Sequence, residues 1–329
     1  MNSVFCRFRS AIGRRHVLRR AQRCGYVRRT FELASASVTV VGPFARPFHI
    51  AVAADGTVYV TEFAGHRVVR LSADFGFEGW IGGGRPGWHR NRHGANPGAG
   101  DHAFRRPHAL EIAPDGRLVV TDLDNRRIQV WSAGGEMRES FGEGDLAGPA
   151  GTLTTSGGDT IVCDAVGDAL VFFDAARRCV RRIGRFNRPH SLVQVGADEL
   201  VVADTWNHRL VCISGTGAVR GMFGANGPYG TTGAVAAPVT VAADGEGGIV
   251  VAEFGNHRIQ RYDAEGRLRG WIGAAPGAGD ACLWREGGIP AAGSGPTEFR
   301  HPYGVAVHDG ALYIADTENN RIQVIRPRP

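Results

Sequence analysis

The chain repeats one pattern six times: a short run opened by proline, an apolar run closed by an acidic residue, and a run led by arginine. The clearest copies are 106–110 with 118–130, and 301–305 with 312–324. The closing acid falls at Glu62, Asp122, Asp164, Asp204, Glu253 and Asp316, in steps of 60, 42, 40, 49 and 63 residues. The base period is therefore about 40 residues with two long insertions, which identifies a repeat fold whose units bury their apolar faces against neighbours.

Each unit holds short β-rich runs such as 58–61 and 249–252, divided by Asp-Gly and Gly-rich turns, and none shows a 3.6-residue periodicity long enough for a packed helix. Four strands in about 40 residues, repeated radially, predict a propeller blade. Most units end in a run of the form Gly-Trp-Ile-Gly, Ser-Phe-Gly or Arg-Ile-Gly, yet the sixth stops near Ile325. A run with the same ending stands at the other end of the chain, at 37–42, and is expected to pair with 321–325 and close the ring, removing an exposed sheet edge.

The recurring order of proline, apolar strand, Asp-Gly turn, strand ending in Ala-Asp and then Asn-x-Arg-Ile-Gln-Val resembles the NHL repeat over roughly residues 37–325. The resemblance implies an all-β fold, a six-bladed β-propeller of NHL type closed by an N-terminal strand. Blade three departs from the pattern: Gly167 and Ala169 follow Asp164 where other blades have Asn or Gly and then Arg, so a looser turn is expected there. The resemblance implies no single activity, because such propellers include binding modules and one lyase.

Two segments follow from charge. Residues 1–31 hold nine arginines and no acid, and removing these from the net +6 leaves −3 for the remainder, so the ring itself is mildly acidic. Residues 1–34 are expected to be an arginine-rich disordered extension, and 35–329 the propeller. The run Arg14-Arg15-His16-Val17-Leu18-Arg19 superficially matches an export signal, but further arginines interrupt any apolar core. No stretch approaches the roughly 18 apolar residues that cross a bilayer, so no membrane partner is expected. The six cysteines show neither Cys-x-x-Cys nor metal-site spacing. Free thiols in a reducing compartment, and hence a cytoplasmic location, are the expectation.

If the strands of a blade alternate in direction, the acidic turns and the proline-led openings share one end of the ring, and both insertions, 83–103 and 274–298, leave from it. Loops on a rigid scaffold carry function, so this is the expected binding face. The acid-x-x-Asn/Gly-x-Arg turn recurs in five blades and is therefore read as structure: the acid caps turn N–H groups and the arginine pairs back to it. The residue after each opening proline should border the central channel; reading round the ring it is Phe48, His108, Ala150, His190, Val239 and Tyr303. His, His and Tyr from alternate blades form a plausible metal geometry for zinc or iron. The NHL-like peptidyl-hydroxyglycine amidating lyase is similar in that Pro-His from alternate blades binds zinc. Here His108 and His190 match that set and Tyr303 breaks it, and the lyase's turn residues are not reproduced. The competing reading is two imidazoles bonded to backbone or channel water.

Arg46, Arg106 and Arg188 precede the prolines and suit an anionic ligand or, alternatively, RNA. Trp88 and Trp284 stand in the insertions and Trp206 in the blade-four turn, each an interface candidate, the two insertion tryptophans being equally compatible with packing on neighbouring blades. No nucleophile arrangement stands out. The expectation is a recognition propeller binding a protein, peptide or anionic ligand, with a metal-dependent lyase or hydrolase at His108 and His190 as the alternative.

Overall fold

A computed structural model describes residues 27–32, 36–91, 94–224, 234–274, 284–286 and 288–328. Six antiparallel sheets follow one another round a ring. Blade one runs Pro47–Val52, Val58–Glu62, Arg67–Leu71 and Phe77–Ile81 from the axis outward, and each later blade repeats that order. The sixth is built from Pro302–His308, Ala311–Asp316 and Arg321–Pro327, completed by the N-terminal strand Ala36–Gly42, whose Val38 lies opposite Ile325. Ring closure by this strand is as the sequence predicts.

One boundary moves. A fifth strand, Val27–Glu32, lies antiparallel to Ala36–Gly42 and forms the outer edge of blade six, inside the segment assigned to the extension. Its backbone finds a partner because Ala36–Gly42 would otherwise leave its outer row of N–H and C=O groups unpaired. Residues 1–26, with most of the arginines, lie outside the described residues.

The core is not a single centre but six apolar clusters, one at each junction between neighbouring blades. Blades one and two meet through Tyr59, Ile81, Leu110, Val120 and Trp131, and blades six and one through Val60, Val69, Trp80, Tyr313 and Ile322. The middle strands, such as Val58–Glu62 and Ile249–Glu253, are buried at every position because both faces are covered.

All six closing acids are fully buried. Each accepts the backbone N–H two residues before the opening proline of its own blade: Ala45 N to Glu62 at 2.9 Å, Arg105 N to Asp122 at 2.7 Å and Arg300 N to Asp316 at 2.8 Å show the rule. In blades two, four, five and six an asparagine three residues on and an arginine five on complete the set, as with Asn207 and Arg209 on Asp204 at 2.9 and 2.7 Å, and blade one has Gly65 in the asparagine's place. Desolvation outweighs these partners at Asp122, Glu253 and Asp316, whose carboxyls are pushed above the ordinary range.

Blade three is not looser. Asp164 takes its cation from the outer strand instead, through Arg182 Nη2 at 2.7 Å. A Cβ at Gly167 would collide with both the Asp164 carboxylate and that guanidinium, so glycine here makes room for the substituted arginine. Removing a buried charge's partner costs about 3–5 kcal/mol when both are desolvated and less when one faces solvent. Arg258, fully buried with Glu253, should therefore lose more on Arg258→Ala than half-exposed Arg182 on Arg182→Ala. Urea unfolding of both variants measures the order; equal losses would mean that Arg182 is not the surrogate.

Candidate functional site

Every blade opens its innermost strand with an irregularity at the proline, as between Pro107 and Leu110 and between Pro302 and Val305. This bulge turns the next side chain toward the axis. His108, His190 and Tyr303 consequently converge, with ring centroids 5.1 Å apart for His108–Tyr303, 5.4 Å for His108–His190 and 5.9 Å for His190–Tyr303. Phe48 stacks on Tyr303 at 4.2 Å and on Phe63 at 4.1 Å, making a three-ring wall. Phe254, stacked on His301 at 4.2 Å, stands 6.0 Å from Tyr303.

The hydrogen bonds set the tautomers. A carbonyl can only accept, so His108 Nδ1–H donates to Ala150 O at 3.1 Å, and its Nε2 accepts from the Tyr303 hydroxyl at 2.8 Å. Both nitrogens of His108 are thus occupied. His190 Nδ1–H donates to Arg188 O and to Thr205 Oγ1, each at 2.8 Å, while Thr205 donates onward to Pro238 O at 2.6 Å. Nε2 of His190 has no hydrogen bond among the described residues and opens onto the mouth. Burial holds His190 down at about 4; burial, and then the nearby His190, depress His108 well below its ordinary value. Burial raises the Tyr303 hydroxyl far above its usual range. The cluster is therefore neutral near pH 7.

The three pre-proline arginines ring this cluster, and each lies over an aromatic ring: Arg46 over Phe48 at 5.9 Å, Arg106 over Phe63 at 5.5 Å and Arg188 over Trp206 at 5.0 Å. They sit in the left-handed region, with φ of 53°, 55° and 47°, which directs their side chains outward at the mouth. Arg46 pairs with Glu318 at 2.7 Å and Arg106 with Asp124 at 3.4 Å. The Arg188 backbone N–H donates to the Asp168 carboxylate at 2.8 Å, its guanidinium has no carboxylate partner among the described residues, and Trp206 beneath it is 59% exposed.

Trp88 and Trp284 are not at the mouth. Each insertion folds back down the outer edge of its blade, bridging Trp80 to His89 and Trp271 to Arg285. The indoles then pack into the junctions of blades one and two and of blades five and six. The folding-back is permitted by Gly79 and Gly270, at φ of 150° and 135°, where a Cβ would stand 3.1 and 3.0 Å from the tryptophan Cβ atoms. Arg85 and Arg90 lie on this exposed loop; Arg92 and Cys282 lie outside the described residues. His49 turns away from the mouth, and burial holds it at about 4. Sequence reasoning passed over Phe63 and Phe254 as site residues, although both occupy the position after the closing acid, where Thr205 and Thr317 also stand.

As donors, His108 and His190 come together as the sequence expects, but only His190 offers an unengaged nitrogen, and Tyr303 keeps its proton. Among the described residues no three His, Cys, Asp or Glu side chains are grouped to hold an ion. None of the described helices is long and apolar enough to cross a membrane.

A six-bladed ring with a polar cluster at one end of its axis defines a β-propeller. The segments 186–213, 236–262 and 299–325 match the NHL repeat, each covering the three inner strands of blades four, five and six, so the chain is an NHL-repeat propeller. No curated protein matches it in sequence. Among solved structures it is similar to a streptogramin B lyase at 16% identity and TM-score 0.59, covering 92% of this chain and 98% of that one. Virginiamycin B lyase from Staphylococcus aureus matches at 14% identity and TM-score 0.59, over 92% and 99% of the two chains. A protein of unknown function from Bacteroides thetaiotaomicron matches at 14% and TM-score 0.66, over 93% and 83%. Identities this low speak for the fold alone.

Histidines depressed by burial make the fold acid-sensitive, His49, His108 and His190 among them, and so do two that cap strand openings. His66, His208 and His257 each accept, on Nδ1, the pre-proline N–H of the next blade, at 3.1, 3.0 and 3.0 Å. Burial, and then a neighbouring charge, lower His66 and take His257 down to about 4. A histidine depressed in the fold binds its proton later than in the unfolded chain. Its contribution is thus full above about pH 6.5 and is lost as pH falls toward 4, by about 1.4 kcal/mol per unit for each fully coupled group. Raised carboxyls such as Asp316 act in the opposite sense at lower pH. The melting temperature should fall between about pH 7 and pH 5. His257→Asn, which copies the acceptor that Asn320 supplies to Arg46 at 3.2 Å, should fall less; an unchanged slope would exclude His257 as a contributor.

Proposed function

We propose that this propeller is a recognition module that binds an anionic ligand with an aromatic or planar body, such as a carboxylate-bearing peptide end, at the channel mouth. The observation that carries the reading is Arg188: a guanidinium laid on Trp206, without a carboxylate partner, beside the open Nε2 of His190 and above the wall formed by Phe48, Phe63 and Tyr303. A guanidinium already stacked and free of a counter-charge is pre-organised for a carboxylate. The aromatic wall supplies apolar contact, and the dry, neutral cluster beneath gives orientation through a single acceptor. Arg46 and Arg106 frame the mouth and steer an anion without competing for it, their own charges being engaged with Glu318 and Asp124. RNA binding draws on the same arginines, but only one is unengaged and the ring is mildly acidic, so extended phosphate contact has little support.

Calorimetric titration with N-acetyl-phenylalanine should give saturable binding that weakens at least about tenfold in Arg188→Gln. A wild-type titration without saturation, or an unaffected Arg188→Gln, would remove the reading.

The second reading is a metal-dependent enzyme at His108 and His190. The convergence of the two imidazoles on Tyr303 favours it, and it requires Tyr303 to give up its hydroxyl proton or its bond to His108. Metal content of the untagged protein separates the two. About one equivalent of zinc or iron, lost in His108→Ala/His190→Ala, would install the enzyme reading, and less than a tenth of an equivalent would retire it.

A further inference from the structure

The outer end of each blade junction is a groove, and the chain covers several of these grooves from within by different means. Trp88 enters between blades one and two, donating its indole N–H to Ala133 O at 2.9 Å, and Trp284 enters between blades five and six. Between blades three and four Arg181 lies on Phe172 at 3.7 Å and donates to Gly215 O at 2.9 Å, the carbonyl equivalent to that of Ala133, and a groove of about 270 Å³ stays open beside it. Between blades two and three Arg177 lies over Phe141 at 4.7 Å and pairs with Glu139 at 2.6 Å. Blade six carries the fifth strand, Val27–Glu32.

Blade four differs. Its residue facing Cys212 on the outer strand is Gly221, the counterpart of Gly79, which faces Arg70, and of Gly270, which faces Arg261. At Gly79 and Gly270 a Cβ would meet a tryptophan, whereas at Gly221 it would meet nothing within 4 Å among the described residues. Beside it runs a groove of about 270 Å³ lined by Val201, Cys212, Met222, Phe223 and Gly266. Met222 is 55% exposed and Val219 is 42% exposed on the same strand. A cavity of about 150 Å³ lined by apolar side chains suffices for benzene, so this groove admits a larger ring.

We infer that the groove between blades four and five is a docking site for an extended segment of a partner protein that adds to the outer strand Val219–Phe223 and seats a tryptophan over Gly221. The molecule holds two filled copies of this arrangement, and they specify the occupant. Both meet the outer strand antiparallel through the single bridged residue after the tryptophan, His89 or Arg285, and both place tryptophan over glycine. The groove's rim carries Glu199, Asp263 and Glu265 together with Arg220, and Asp263 is paired with Arg269 at 2.7 Å, so the tryptophan and not charge selects the occupant. Strand addition supplies main-chain hydrogen bonds and the seated ring supplies specificity.

The probe is a fluorescein-labelled peptide with the sequence of residues 84–91, Gly-Arg-Pro-Gly-Trp-His-Arg-Asn, titrated into the full chain and read by anisotropy. Saturable binding is expected, at least about tenfold weaker for the peptide with alanine in place of tryptophan and for the protein variant Gly221→Val. The open space at Gly221 leaves the melting temperature of that variant unchanged; should it fail to fold, Met222→Glu on the exposed strand face replaces it. No saturation up to about 1 mM, or equal binding by Gly221→Val, overturns the site. Concentration-dependent self-association in sedimentation that Gly221→Val abolishes would give the groove to a second copy and overturn the partner.

Discussion

The carboxylate buried at the end of each second strand holds this propeller together. An innermost strand that starts with proline gives up one donor and leaves the preceding N–H groups at the mouth of the ring, where the neighbouring blade shields them from water. A fully buried Glu62 or Asp316 accepts them, the arginine on the same turn neutralises the carboxylate, and at Asp316 Asn319 satisfies the rest of it. Desolvation still disfavours the charge, which is why several of these acids sit above their ordinary range. A buried carboxylate with every lone pair engaged fixes geometry better than it adds stability. What it fixes is the left-handed pre-proline residue, and thus where Arg46, Arg106 and Arg188 point.

The mouth inherits its chemistry from that frame. Because the openings are rigid, His108 and Tyr303 meet at hydrogen-bond distance, and threonines tie one blade to the next: Thr61 to His108 O and Thr121 to Ala150 O, both at 2.9 Å, and Thr317 to Pro47 O at 2.6 Å. The histidines stay neutral because the site is dry. Charge enters only from the rim, and among the rim arginines the one without a carboxylate is the one resting on an exposed tryptophan.

The outer surface obeys a different constraint, the unpaired edge of each blade. Strand addition by the chain's own insertions covers blades one and five, and the N-terminal strand covers blade six. Arg177 and Arg181 reach into the grooves on either side of blade three, and blade four has Gly221 beside an open groove with no tryptophan against it among the described residues.

The sequence by itself determined the number of blades, the strand order, ring closure by residues 37–42 and the ring of His108, His190 and Tyr303. All of these follow from a local period repeated often enough to be unambiguous, together with the proline that marks where each strand begins. The tertiary structure alone decided what depends on which side chains meet across strands and loops. Arg182 replaces the missing arginine of blade three from another strand, a substitution invisible to a motif five residues long. Trp88 and Trp284 leave the mouth because Gly79 and Gly270 let the insertions lie against the outer strands, and loop composition carries no record of direction. Phe63 joins Phe48 in a stack because the ring brings the position after one blade's acid against the position after its own proline. Sequence periodicity specifies which strand is which; only the packed ring specifies which side chains meet.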